Sequence, residues 1–170
     1  MARGWFLGLV FLVACKASPP PPESYAELPS GLLSEEQASV VVAKVGDEVL
    51  TLSDYCAILL SMESFQRLRY TTSPEREALL DELINMTLLA QEARRRNLAG
   101  AGADPGRGKT AAKTAANTAL ATALRQSLGN EEALKKLVDD LRKQHVTDVN
   151  KSALSAIVVD GTGNVRRAGS

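Results

Sequence analysis

Two cysteines and one histidine are the only strong nucleophiles and soft metal ligands of their kind in this 170-residue chain. Cys15 closes a short segment of recognisable layout. Arg3 supplies a positive charge, Gly4 to Val13 is an apolar run, and Leu12-Val13-Ala14-Cys15 places small residues before the cysteine. This looks like a lipobox. An apolar run so short cannot cross a hydrocarbon core of about 30 Å as a helix rising about 1.5 Å per residue, so a cleaved signal over residues 1–14 is expected. Cys15 would then carry acyl chains on its sulfur and its amino terminus, and more than one chain makes membrane attachment durable.

The remaining reactive groups point away from chemistry. Cys56 would be the last thiol in an oxidising compartment, with no partner in the chain. Its neighbours Tyr55, Ala57, Ile58, Leu59 and Leu60 are apolar, which predicts a buried, inert thiol. A lone His145 excludes a histidine-rich metal site and sits where a helix should end, a position suited to capping carbonyls. Gly108-Lys109-Thr110 imitates the end of a phosphate-binding loop, but the earlier glycine would have to stand at 103, which is Ala103. That loop also follows a strand, whereas a helix precedes it here, so no nucleotide is expected. With residues 1–14 removed, nineteen basic residues face twenty acidic ones, and no nucleic-acid partner is implied. Arg94-Arg95-Arg96 reads as the solvated end of a long helix, favourable at the negative end of its dipole.

The elements around these residues follow from punctuation and periodicity. Pro19 to Pro22 should adopt polyproline II, so that residues 15–39 form a tether able to reach roughly 75 Å at about 3.1 Å per residue. Val40 to Val45 is β-branched, Gly46-Asp47 supplies a turn, and Glu48-Val49-Leu50 returns as a second strand. Thr51 followed three residues on by Asp54 caps a helix expected over 52–70, with Leu52, Tyr55, Leu59 and Met62 on its apolar face. Ser73-Pro74-Glu75 opens a long helix expected over 75–97, striped by Leu79, Leu80, Leu83, Ile84, Thr87 and Leu88 and ended by Gly100. Ala99 to Gly108 is a connection rich in glycine and alanine. Thr110 to Leu128 is an alanine-rich helix, and Gly129-Asn130 starts another whose buried face is Leu134, Leu137, Val138 and Leu141. Val146 to Val149 should be extended, 152–156 a short turn and 157–159 a strand. The folded domain is expected over 40–159, with 160–170 a flexible tail. An isolated hairpin is marginal in water and an unpaired valine strand invites aggregation, so Val40–Val45 is expected to pair with Val146–Val149.

Residues 45–98 resemble the amino-terminal domain of the SurA and PrsA type of envelope chaperones. The likeness is carried by Val45-Gly46-Asp47-Glu48-Val49-Leu50-Thr51-Leu52-Ser53-Asp54, then Arg76, Leu79-Leu80-Asp81-Glu82-Leu83-Ile84, Leu88-Leu89 and Gln91-Glu92-Ala93-Arg94. Leu141 to Asn150 is similar to the segment by which such proteins return to that domain after their parvulin-type peptidyl-prolyl isomerase domain. The resemblance implies a mainly α fold, a helical domain with a small two-stranded sheet made by N-terminal and C-terminal segments. It also implies an ATP-independent chaperone that transiently binds unfolded exported polypeptides on apolar surface between its helices.

The chain departs from the family where catalysis would lie. Between Asn97 and Glu131 there is no room for an isomerase domain, and the family's histidine pair has no counterpart beside His145. The expectation is therefore a non-enzyme without cofactor, metal or nucleotide. Met62, Phe65, Leu68 and Tyr70 are the candidate client-binding residues, because flexible and aromatic side chains suit adaptable contact, and core packing is the competing role for each. The alternative function is a non-catalytic lipoprotein adaptor subunit of an envelope secretion or assembly system. Lys16 after the anchor cysteine, in place of the aspartate linked to inner-membrane retention in enteric bacteria, points to the outer membrane, periplasm-facing.

Overall fold

A computed structural model of the chain describes residues 28–29, 31–98 and 110–169. The expected signal segment, Cys15, the proline run and most of the glycine-rich connection with Gly108 and Lys109 lie outside the described residues. The fold is mainly helical, with two small antiparallel sheets.

The chain joins the core earlier than expected. Leu32 is buried and Leu28 and Leu33 pack against the same core, and a short helix α1 (Glu35–Ala38) follows, capped reciprocally by Ser34 and Gln37. Leu28 and residues 31–39 therefore belong to the folded unit, not to the tether expected over 15–39. Strands β1 (Val41–Val45) and β2 (Glu48–Thr51) turn about Gly46, whose φ of +56° an L side chain rarely adopts. The expected capping box is present: Asp54 N–H donates to Thr51 Oγ1 at 3.1 Å, and Thr51 N–H donates to Asp54 Oδ2 at 2.9 Å. It opens α2 (Leu52–Ser61), which buries Leu52, Tyr55, Cys56, Ile58 and Leu59.

The helix expected to continue to residue 70 breaks at Met62, which takes an extended conformation. A four-residue helix α3 (Ser64–Arg67) and a 3-10 turn (Leu68–Tyr70) replace it. The carbonyls freed by the break find Arg67, whose Nη1 donates to Met62 O at 2.6 Å and to Leu60 O at 3.3 Å.

Helix α4 (Ser73–Arg95) is capped one residue earlier than expected, with Thr72 and Glu75 forming the box and Pro74 in the first turn. It ends before Gly100. Asn97 takes the left-handed conformation at φ +53°, Leu98 N–H reaches Ala93 O and Asn97 N–H reaches Arg94 O. That bond pair is a Schellman closure with asparagine in the usual glycine place. Helices α5 (Thr110–Leu128) and α6 (Glu131–His145) follow, the latter capped by Asn130. Strand β3 (Val146–Val149) then returns to β1 in antiparallel register, with Ala43 opposite Val149, Lys44 opposite Asp148 and Val45 opposite Val146. The two ends of the folded region thus meet as expected, and β2 extends the pair to the order β2-β1-β3.

A 3-10 segment (Lys151–Ala156) leads to β4 (Ile157–Val159), and β5 (Val165–Arg167) pairs with it. The expected flexible tail over 160–170 is instead a hairpin through residue 169. Asp160 builds its turn: Oδ1 accepts from Thr162 N–H, Thr162 Oγ1 and Asn164 N–H, and Oδ2 pairs with Arg166 at 2.7 Å. Leu154, Ile157 and Val159 complete the main core beneath β1, α2 and the first half of α4. A second core joins Leu89, Ala90 and Ala93 of α4 to Leu120, Ala121 and Leu124 of α5.

Candidate functional site

Helix α6 meets the rest of the molecule unevenly. Its C-terminal half is clamped: Leu141 is buried, and Arg142 donates to Asp81 at 2.5 Å and to Asn85 at 2.6 Å on α4. Lys151 reinforces that clamp on Asp81 at 3.0 Å and Glu77 at 3.6 Å. Burial raises the Asp81 carboxyl, but Arg142 and Lys151 outweigh it and hold the group below the usual range. Among the described residues the N-terminal half has no such clamp. Leu134, Leu137 and Val138, expected to be buried, are only half-buried: they pack against the edge of the core that Leu89 of α4 shares with Leu120, Ala121 and Leu124 of α5.

The result is an open cleft of about 580 Å³ between α4, α5 and α6. Leu89, Leu134 and Val138 give it an apolar floor, and Asn85, Arg125, Lys135, Glu131, Glu132 and Asp139 surround it with both signs of charge. The volume falls within the range of pockets that take small ligands or a few side chains, roughly 300–1,000 Å³. A smaller space of about 20 Å³ below Met86 and Thr87 has room for about one water molecule. No sequence signal singled out the cleft. The apolar stripe of α6 was legible, but whether a neighbour would cover it depended on α5.

The four candidate residues divide. Met62 and Tyr70 are half-buried and pack against the main core. Phe65 is 70% exposed and Leu68 42% exposed, both on the short segment 64–70 and both outside the cleft lining. Leaving a phenylalanine in water forgoes roughly 1.5–3 kcal/mol of burial. The segment that carries it is braced at both ends. Arg67 points inward and bonds the carbonyls of Leu60, Met62 and Gly163, while Arg76, itself buried, donates to Thr71 O at 2.9 Å and Tyr70 O at 3.4 Å. Those bonds hold the backbone of the segment at both ends while the Phe65 side chain stays in water.

Burial pushes the Cys56 thiol up to about 12, which keeps it protonated and unreactive. The Tyr55 hydroxyl is also raised by burial and donates to Arg76 O at 2.9 Å. The His145 side chain is exposed and does not cap the helix as expected; its main-chain carbonyl accepts from Gly46 N–H at 2.8 Å. The arginine run is not uniformly solvated either. Arg94 joins Glu48 of β2 at 3.2 Å and Asn117 of α5 at 2.5 Å, whereas Arg95 and Arg96 hold Glu92 at 2.6 and 2.7 Å. Among the described residues no group of three histidine, cysteine or carboxylate side chains could hold a metal, and no helix is long and apolar enough to cross a membrane. Comparison with known proteins finds no matching family model, curated protein or solved structure. The likeness to the SurA and PrsA amino-terminal domain therefore rests on the sequence features quoted above.

Proposed function

We propose that this chain is a membrane-tethered, ATP-independent chaperone-like protein of the cell envelope, lipidated at Cys15 and periplasm-facing, which holds apolar segments of unfolded exported polypeptides in the cleft between α4, α5 and α6. The observation that carries the reading is the half-covered stripe Leu134–Val138 over Leu89. An apolar floor accepts any nonpolar side chain, and a rim of mixed sign excludes few sequences by charge. Nothing in this arrangement needs a nucleotide or performs bond chemistry.

The test is aggregation of a chemically unfolded envelope protein with and without the purified chain. Wild type should slow aggregation, Leu134→Ser with Val138→Ser should not, and neither should speed prolyl isomerisation in a protease-coupled assay. A double variant as protective as wild type would remove the cleft from the proposal. The adaptor reading is favoured by one feature, the modest size of the cleft, which suits one dedicated segment. Under that reading a pull-down from the envelope returns a single partner at fixed stoichiometry, and unrelated unfolded proteins aggregate unhindered. Mass spectrometry of the mature amino terminus tests the anchor, and Cys15→Ser should abolish lipidation.

A further inference from the structure

The braced segment 64–70 lies outside the proposed client cleft, and its exposed side chains have a second kind of partner. Phe65, Leu68 and Arg69 stand at spacings of three and four, which places them on one face of consecutive helical turns. Phe65 is the most exposed large hydrophobic residue among those described. The turn of the β4–β5 hairpin is seated directly against this segment. Gly163 O accepts from Arg67 Nε at 2.5 Å, and Gly163, at φ +80°, lies so close to the Ser64 backbone that a side chain there would collide with it.

The charge of the two joined pieces is one-sided. Residues 63–72 and 157–169 carry Arg67, Arg69, Arg166 and Arg167 against Glu63 and Asp160, in a chain whose totals of basic and acidic residues are equal. Asp160 is moreover engaged by its own turn and by Arg166. An aromatic and an aliphatic side chain on a braced segment, with Arg69 on the same face and a net positive charge on the joined pieces, match a surface that is apolar just below a layer of negative charge. We propose that this projection docks on an anionic lipid bilayer, with Phe65 and Leu68 entering the acyl boundary and Arg69 remaining among the phosphates. The docking would orient the folded unit on its membrane independently of any lipid anchor. It is also separate from client binding, since the cleft shares no residue with the projection.

Trp5 is the only tryptophan in the sequence and lies in residues 1–14, so the mature chain from residue 15 carrying Cys15→Ser and Phe65→Trp has a single reporter at the proposed point of insertion, no acylated thiol and no apolar leader. It would be titrated with vesicles of phosphatidylcholine alone or of phosphatidylcholine and phosphatidylglycerol in equal parts. On the anionic vesicles the emission should shift to the blue and be quenched by bromine-labelled acyl chains, with affinity at least tenfold above that on neutral vesicles and falling as salt rises. Adding Arg69→Glu should weaken binding by about fivefold or more while the thermal melting curve stays in place. Emission unmoved by either vesicle would overturn the proposal, as would equal response to both. So would a blue shift produced by an unfolded polypeptide without vesicles, which would assign the projection to protein partners instead.

Discussion

The two halves of α4 serve cores of different character. Its first half supplies Leu79, Leu80, Leu83 and Ile84 to a core of bulky side chains closed by β1, α2 and the β4 strand. Its second half supplies Leu89, Ala90 and Ala93 to a core shared with the alanine-rich α5, beside which α6 stays half-covered. Large branched side chains interlock there from several directions, whereas Ala90, Ala93 and Ala121 let α4 and α5 approach closely while α6 stays half-covered beside them. Stability concentrates at one end of a single helix and an accessible apolar cleft at the other.

The largest effect should come from cutting into the first core. Leu80→Ala, at a fully buried position, is expected to cost about 3–4 kcal/mol by urea unfolding, and Leu124→Ala in the second core about 2–3 kcal/mol, because small neighbours leave fewer contacts to lose. Equal losses would erase the contrast. Gly163→Ala should cost about 2 kcal/mol, combining a left-handed backbone with collision against Ser64, and should loosen the hairpin from the 64–70 segment.

The second core has an acid-sensitive rim. Arg95 holds the Glu92 carboxyl down, partial burial opposes, Arg96 adds to the lowering, and the pKa falls to about 2. A folded-state value below the unfolded one contributes stability above about pH 4.5 that is lost as pH drops through 2. With both arginines reaching into solvent, a loss on the order of 1–2 kcal/mol is expected between those limits. Glu92→Gln should flatten that limb of the stability curve relative to wild type. The smallest effect belongs to the cleft. Leu134→Ser should cost less than about 1 kcal/mol because its side chain is already half in solvent, yet lower protection of unfolded clients. As a control on the first core, the Cys56 thiol should stay unmodified by a thiol reagent until denaturant unfolds the chain.

Local signals in the sequence determined much of the framework. Thr51 with Asp54 marks the start of α2, the broad apolar stripe from Leu79 to Leu88 defines α4, and Thr110 and Leu128 bound α5, because caps and apolar periodicity act within one or two turns of chain. The pairing of β1 with β3 was also legible, since valine-rich segments at the two ends of a small domain need partners. What the sequence did not display were consequences of contacts across long separations. The break at Met62 is stabilised by Arg67, which also binds Gly163 96 residues away, and no local preference at 62 announces it. The hairpin over 157–169 closes on an aspartate-centred turn rather than fraying. The cleft takes its lining from Asn85 and Leu89 of α4, Arg125 of α5 and the first half of α6, residues far apart in the chain. Which apolar side chains remain in water is settled by what stands opposite them, and that is a property of the assembled structure alone.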